Sequence, residues 1–279
     1  MWRDYDDRLL ADGPFVHPAV ELGDSSRRPG ENLVTLGGVE ILKTLLEADP
    51  SVPRLTCYDE TTGGRTDLSA QTLDNWASKI ANMLHDEFDL VAGDQVWIDL
   101  PLIWQSACII LGCERAGVTV SDEEPLVVFT TVSNVSTWEE KFPDAYLAVL
   151  TDDPFGRGVV ECGDDIPPGV IDFGPEVRFH PDAYLGAGPD SDQTPVIGEK
   201  SAAELLSSAG DYADEMQLTP GSRVVSDGWL VPDSSQVTAD KWACNVLSAW
   251  VRGGAAVVVR GGDSERVTAI STAEKARVI

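Results

Sequence analysis

Two stretches of the sequence repeat the same order of elements, and this repeat most constrains the fold. Residues 93–120 and 220–259 each read as a turn, a short apolar strand, a helix, glycine and a second apolar strand. Short, continuously apolar strands are typical of parallel sheets covered on both faces. Glycine suits the left-handed residue that ends a helix. The repeat therefore predicts an α/β fold with mostly parallel sheets, helices on both faces and two similar βαβ lobes.

Further elements surround the repeat. Apolar residues recur at helical spacing after Ser69, a plausible N-cap, and a Gly-Gly turn at 63–64 between strand-like runs indicates a hairpin. The sequence predicts helices over 36–47, 69–85, 104–116, 201–216 and 239–252, and added strands over 126–131 and 145–150.

One stretch, 151–194, is dense in Asp, Gly and Pro, which is typical of loops. This stretch separates two predicted lobes of the chain. The predicted parts are an irregular N-terminal arm (1–32), a first α/β lobe (33–150), an Asp/Gly/Pro-rich connecting region (151–200) and a second α/β lobe (201–279).

Charge narrows the choice of partners. The 279 residues carry 47 Asp and Glu against 20 Lys and Arg, for a formal net charge of −27. Such a field repels phosphate backbones and anionic lipids, so we expect no nucleic-acid partner and no membrane partner. The first residues, MWRDYDDRLL, are too acidic for a signal peptide, and no apolar run approaches the ~20 residues of a spanning helix. We expect a cytoplasmic protein.

Side chains that could carry chemistry give no recognisable pattern. The five cysteines include no C-x-x-C, and Cys108 and Cys113 would point about 140° apart on a helix. The histidines, His17, His85 and His180, lie in unrelated segments. With so many carboxylates, pairs such as 190/192 are expected in solvated loops. The sequence therefore identifies no catalytic, cofactor-binding or metal-binding residue, and no cofactor.

The order of elements resembles a known family. Residues 54–120, from YDETTGGRTDLS through VAGDQVWIDLP to WQSACIILGCERAGVTV, and residues 201–260, including LTPGSRVV and LSAWVRGGAAVVV, are similar to the N-terminal region of the adenylate-forming superfamily. That superfamily includes acyl-CoA synthetases, luciferases and peptide-synthetase adenylation domains. The resemblance is closest to a bacterial subfamily that looks truncated in the same way and shares DPFGRG, here residues 153–158.

This sequence differs from that family in the segments that bind ATP there. The resemblance implies a Ser/Thr/Gly-rich loop ending in Pro-Lys before the helix at 201–216, but this chain has LGAGPDSDQTPVIGEKS. Lys200 is the only lysine nearby, and it follows Gly-Glu rather than proline. Asp190 and Asp192 would face a triphosphate. One such like-charge contact near a surface costs on the order of a few kcal/mol. The family's downstream motifs, which bind adenine, ribose and magnesium and supply a catalytic lysine, are absent from this sequence.

We therefore predict a non-catalytic relative of AMP-dependent ligases that acts as a module binding a small acyl or aminoacyl-like molecule, or another protein. The resemblance places Trp229 near the substrate pocket; the alternative is that Trp229 packs in the core. A second hypothesis is an AMP-forming acyl or aminoacyl ligase whose site a partner chain completes. A third is a structural partner or homo-oligomer whose cleft is filled by its own side chains.

Overall fold

The strands form two sheets in the computed structural model, which describes residues 41–189, 192–232 and 234–279. In chain order the strands are β1 (Pro53–Asp59), β2 (Gly64–Ser69), β3 (Gln95–Ile98), β4 (Thr119–Val120), β5 (Val127–Thr130), β6 (Tyr146–Val149), β7 (Ile171–Asp172), β8 (Pro195–Ile197), β9 (Lys200–Ser201), β10 (Arg223–Ser226), β11 (Ala255–Arg260) and β12 (Arg277–Val278).

The sheets are mostly parallel. One has seven strands in the order β7-β6-β5-β3-β4-β8-β9, and the other has five in the order β12-β10-β11-β1-β2. Among the paired strands described, only β1 with β2 and β8 with β9 run antiparallel. The predicted α/β class with mostly parallel sheets is confirmed.

Helices connect these strands. They are α1 (Lys43–Ala48), α2 (Ala70–Asp86), α3 (Trp104–Ala116), α4 (Val135–Lys141), α5 (Phe173–Phe179), α6 (Ala202–Glu215), α7 (Ala239–Trp242), α8 (Ser248–Trp250) and α9 (Ser264–Glu274). A 3-10 turn, Val132–Asn134, precedes α4, and a π-helical turn, Ala243–Leu247, joins α7 to α8.

The sheets do not each correspond to one predicted lobe. The hairpin β1–β2 lies in the sheet of the later strands, where Leu55 pairs with Ala256. Conversely, β8 pairs with β4 in the seven-stranded sheet, through Val120 and Ile197. These pairings join segments far apart in sequence, for which local patterns carry no signal. The division of the chain at 150 and 200 stays a prediction.

One core joins the inner faces of both sheets around α3. Every residue of α3 except Arg115 is buried, including the polar Gln105, Ser106 and Glu114, so the helix is covered on all sides. Val96 and Ile98 of one sheet and Val224 and Val258 of the other belong to the same buried cluster. Because side chains alternate along a strand, Trp97 and its neighbours form a second cluster on the outer face.

The predicted N-cap of α2 and the predicted glycine end of α3 are confirmed. Ser69 caps α2, its hydroxyl accepting a hydrogen bond from the Thr72 amide at 3.1 Å. Gly117 ends α3 with φ of 72°, in the left-handed region that favours glycine. The helix predicted over 201–216 is α6, whose N-cap Ser201 forms a capping box with Glu204.

This capping box leads to a test. Replacing Ser201 with alanine is expected to lower the free energy of unfolding by about 1 kcal/mol, because the Glu204 amide loses its acceptor. Urea denaturation measures the change. The exposed Ser207 of the same helix is the control, since alanine there loses no cap and favours the helix. Equal stability of the two variants would contradict the role of the cap.

Several segments differ from the sequence prediction. The stretch 151–194 contains β7 and α5 as well as loops, and the C-terminal segment adds strand β12 after α9. Of the helix predicted over 36–47, residues 43–48 are helical, and 36–40 lie outside the described residues, as does the predicted arm 1–32.

Two of the cysteines, Cys108 and Cys113, are buried as small apolar residues, whereas Cys162 is exposed. All five are free thiols, and burial raises the pKa of the Cys108 and Cys113 thiols. Of the helices described, none combines the length and apolar character that crossing a bilayer requires.

Candidate ligand-binding site

A buried carboxylate, Asp99, lies where open α/β folds usually bind ligands, at the carboxyl end of a parallel strand. Asp99 directly follows β3, and its Oδ2 accepts hydrogen bonds from Thr130 Oγ1 at 3.1 Å, Asn134 Nδ2 at 2.9 Å and Trp138 Nε1 at 2.6 Å. Its Oδ1 accepts a hydrogen bond from the Ser235 hydroxyl. Four donors thus surround a side chain that is 7% exposed.

These donors hold Asp99 in its charged form. Burial opposes the charge, but the hydrogen bonds from Ser235, Trp138, Asn134 and Thr130 outweigh it, so the pKa of Asp99 lies below its usual range. A carboxylate with all these donors already satisfied is a structural anchor, because a ligand would have to displace one of them.

The bond from Ser235 also connects the two sheets. Ser235 lies in the loop between β10 and α7, whereas Asp99 follows β3, the central strand of the seven-stranded sheet. The bridge between Leu230 and Val237 shapes this loop. Ser235 therefore lies against Asp99 at the carboxyl end of β3.

Trp229, the residue predicted from the resemblance to lie near a substrate pocket, has no exposed surface. Its indole nitrogen donates to Ser106 Oγ at 3.2 Å, and its ring packs edge-on against Trp242, which in turn contacts Trp250. Trp229 thus lies within the core that the two sheets share, as in the alternative in which Trp229 packs in the core.

Basic side chains close to the strand ends are bound to carboxylates. The ion pairs are Arg260 with Asp59 at 2.9 Å and Asp152 at 3.2 Å, Arg266 with Glu60 at 2.6 Å, Lys241 with Asp227 at 2.6 Å, and Arg157 with Asp153 at 2.7 Å. A paired cation offers a phosphate much less attraction than a free one, because a neighbouring carboxylate repels the phosphate.

The segment that resembles the phosphate-loop region serves another purpose. Residues 195–201 form the β8–β9 hairpin, in which the Gly198 amide donates to the Val120 carbonyl at 2.9 Å. Lys200 is exposed and lies 3.7 Å from Glu204, one turn along α6. Asp192 is exposed, and Asp190 lies outside the described residues. These described groups do not fit a triphosphate with its magnesium ion.

A cavity of about 570 Å³ opens away from the strand ends, between α2, α3 and the loop 182–189. Its volume lies within the range of small-molecule sites. Three carboxylates line it, Asp74, Glu114 and Asp182, together with the guanidinium of Arg115, which contacts Asp74 Oδ1 at 2.6 Å. Asp182 is in turn paired with Lys79 at 2.9 Å, so three carboxylates exceed two cations by one charge, which favours a cationic group.

Sequence reasoning missed Asp99 and this cavity. An aspartate that ends a buried strand is a recognisable signal, but it is one of many carboxylates in the chain. The cavity depends on a loop packed against α2, which no local pattern encodes.

Solved structures share this architecture, and they are AMP-forming acyl-CoA synthetases and ligases. An acyl-CoA synthetase from Brucella canis has a TM-score of 0.63 and 15% identity, with 87% of this chain covering 47% of that one. MatB from Rhodopseudomonas palustris also has a TM-score of 0.63 and 15% identity, with 84% of this chain covering 47% of that one. The described chain has the fold of the N-terminal region of adenylate-forming enzymes, and it spans less than half the length of these structures.

Sequence comparison gives the family. A protein of Mycobacterium tuberculosis (strain ATCC 25618 / H37Rv), described as a TIGR03089 family protein, is 36% identical over 206 residues, which cover 71% of this chain and 82% of the relative. The chain belongs to the TIGR03089 family. No protein-family model matches it.

Proposed function

We propose that the chain is a binding module with an adenylate-forming fold that holds a small molecule without activating it. The observation that carries this proposal is the charge at the strand ends. The basic side chains Arg260, Arg266, Lys241 and Arg157 are each paired with carboxylates, and Lys200 lies beside Glu204. Adenylation requires positive groups that act together on the phosphates. This arrangement supports binding without adenylation.

The proposed ligand is a small molecule that carries an amine, and its proposed place is the cavity between α2, α3 and the loop 182–189. Three carboxylates against two cations, Arg115 and the Lys79 that pairs with Asp182, leave a net negative charge that favours an ammonium group over a carboxylate or a phosphate. This choice is consistent with an aminoacyl-like ligand and disfavours a simple fatty acyl anion.

An ATP titration tests the first part. Calorimetry with ATP and magnesium on the whole chain is expected to show no magnesium-dependent binding, because a triphosphate would meet paired cations and nearby carboxylates. GTP under the same conditions controls for non-specific nucleotide binding. Tight, magnesium-dependent binding of ATP would overturn the proposal.

That result would favour the second candidate, an AMP-forming ligase completed by another chain. The observation behind this candidate is coverage: the chain spans 47% of the Brucella canis acyl-CoA synthetase, so further parts of such a site could come from a partner. A pyrophosphate-exchange assay would then measure adenylation directly.

The cavity is tested by blocking it. A thermal-shift screen compares primary amines with their N-acetyl analogues, which lack the charge, and only the amines are expected to stabilise the protein. Gly188→Leu is expected to abolish this stabilisation. Gly188 lines the cavity, and a Cβ there would meet only the Arg115 carbonyl oxygen at 3.6 Å, an ordinary contact.

The matched control is Gly210→Leu on α6, where a Cβ would meet nothing within 4 Å. This variant should respond to amines as the unchanged protein does. Stabilisation by amines that survives in Gly188→Leu would place their binding outside the cavity and contradict the proposal.

A further inference from the structure

We infer that His180, Glu87 and Glu176 form a binding site for a divalent transition-metal ion of the zinc class. One ligand atom from each residue lies within 4.8 Å of the other two. The residues come from different elements: Glu87 follows the last residue of α2, Glu176 lies on α5, and His180 directly follows α5. This inference is independent of the proposed small-molecule binding.

The histidine supplies the observation that points to a ligand. The His180 side chain is 7% exposed, and its Nε2 has no hydrogen-bond partner among the residues that the structure describes. The closest carboxylate oxygen of Glu87 is 3.9 Å from Nε2, too far for a hydrogen bond. A buried, unpaired ring nitrogen is costly, and a metal ion between it and the two carboxylates would satisfy it.

The spacing suits a small ion. Metal–ligand bonds of about 2.0–2.2 Å at tetrahedral angles place ligand atoms about 3.4 Å apart. Glu87 has an exposed side chain and Glu176 a partly exposed one, so both carboxylates can turn to bring ligand atoms that lie within 4.8 Å of one another to the spacing of about 3.4 Å that the ion needs.

A fourth residue completes the pattern around the histidine. Asp86 Oδ2 lies 3.7 Å from His180 Nδ1, on the other side of the ring from Glu87. Metal-bound histidines usually donate their second ring nitrogen to a carboxylate, which fixes the tautomer and strengthens the ligand. Asp86 is exposed and needs to move only about 0.5 Å to accept that hydrogen bond.

The backbone around His180 is already fixed against α2. Lys79 Nζ donates to the His180 carbonyl at 2.5 Å, and Asn82 Nδ2 donates to the carbonyls of Pro181 and Ala183, both at 3.1 Å. A ligand held in this way loses little freedom when the ion binds.

The donor set selects the class of ion. One imidazole nitrogen and two carboxylates suit zinc and its first-row neighbours. Magnesium and calcium prefer sites made of oxygen alone, so they should bind here much more weakly. Three protein ligands leave a fourth position for water, and the ion would fasten the end of α2 to α5 and to the loop that follows.

Zinc titration of the whole chain tests the site, in a Cys162→Ser background that removes the exposed thiol. Calorimetry is expected to show one zinc per chain, and zinc should raise the melting temperature where magnesium does not. His180→Gln and, separately, Glu176→Gln should each weaken zinc binding at least tenfold, and Asp86→Asn about tenfold.

His85→Gln is the matched control, because His85 is an exposed histidine near the end of α2, the helix that Glu87 follows. It should leave zinc binding unchanged. Cobalt(II) bound in place of zinc should give the visible absorption of a tetrahedral site, which His180→Gln should abolish. Zinc binding that is equal in His180→Gln and the parent chain, or absent from the parent, would overturn the inference.

Discussion

Asp99→Asn is expected to lower the free energy of unfolding by about 3 kcal/mol, which urea denaturation would measure. Oδ2 of the carboxylate accepts three of its four hydrogen bonds and Oδ1 accepts the fourth, from Ser235. An amide replaces one of these oxygens with an NH₂ group, which cannot accept a hydrogen bond and would face a donor. When the NH₂ group faces Ser235, that hydroxyl can turn and accept from it, so the main loss is the negative charge that strengthens the three hydrogen bonds to Oδ2.

The matched control for this change is Asp144→Asn, at an exposed aspartate before β6. It removes the same charge without removing a buried hydrogen bond, so stability should change little. If both variants lose the same amount of stability, the effect of Asp99→Asn comes from net charge and the anchoring role of Asp99 is wrong.

The low pKa of Asp99 adds a pH signature. The folded-state pKa of Asp99 lies below the unfolded value of about 3.9. The ionised carboxylate therefore stabilises the fold fully above the unfolded pKa. It is lost as the pH falls through the folded value. The difference in unfolding free energy between the parent and Asp99→Asn should therefore shrink in acid. A constant difference from neutral pH into acid would contradict the ionised anchor.

Much of the fold could be predicted from sequence because its elements have local causes. Continuous apolar runs predicted the buried parallel strands, helical spacing predicted α2, and Gly117 marked the end of α3. The placement of the β1–β2 hairpin in the five-stranded sheet could not be predicted. Its pairing of Leu55 with Ala256 joins distant segments, and neither segment alone carries a sequence signal for it.

The sites were harder to predict for the same reason. Glu176 and His180 are four residues apart, but Glu87 follows the end of α2, so only the folded chain brings the three together. Asp99 ended a recognisable strand, yet 47 acidic residues gave no means of choosing it. Trp229 was selected by resemblance, which locates a segment but does not specify whether its side chain faces a cleft or the core.

Gly174→Ala is expected to lower the free energy of unfolding by about 3 kcal/mol, although alanine normally favours a helix. A Cβ at Gly174 would lie 2.5 Å from the Gly158 amide nitrogen and 2.8 Å from the Gly156 carbonyl oxygen. Both are backbone atoms, so no side chain can rotate away, and α5 and the DPFGRG segment would have to separate. Urea denaturation measures the loss.

Gly210→Ala is the control for this prediction, since it makes the same chemical change on α6, where a Cβ meets nothing within 4 Å. There the helix preference of alanine acts alone and should raise stability by about 1 kcal/mol. The two variants therefore differ in sign because of one contact, the approach of DPFGRG to α5. Arg178 of α5 strengthens that contact by donating to the Gly156 carbonyl at 3.3 Å. If Gly174→Ala proved as stable as Gly210→Ala, the segment would not lie against α5, and the position of His180 at the end of that helix would lose its support.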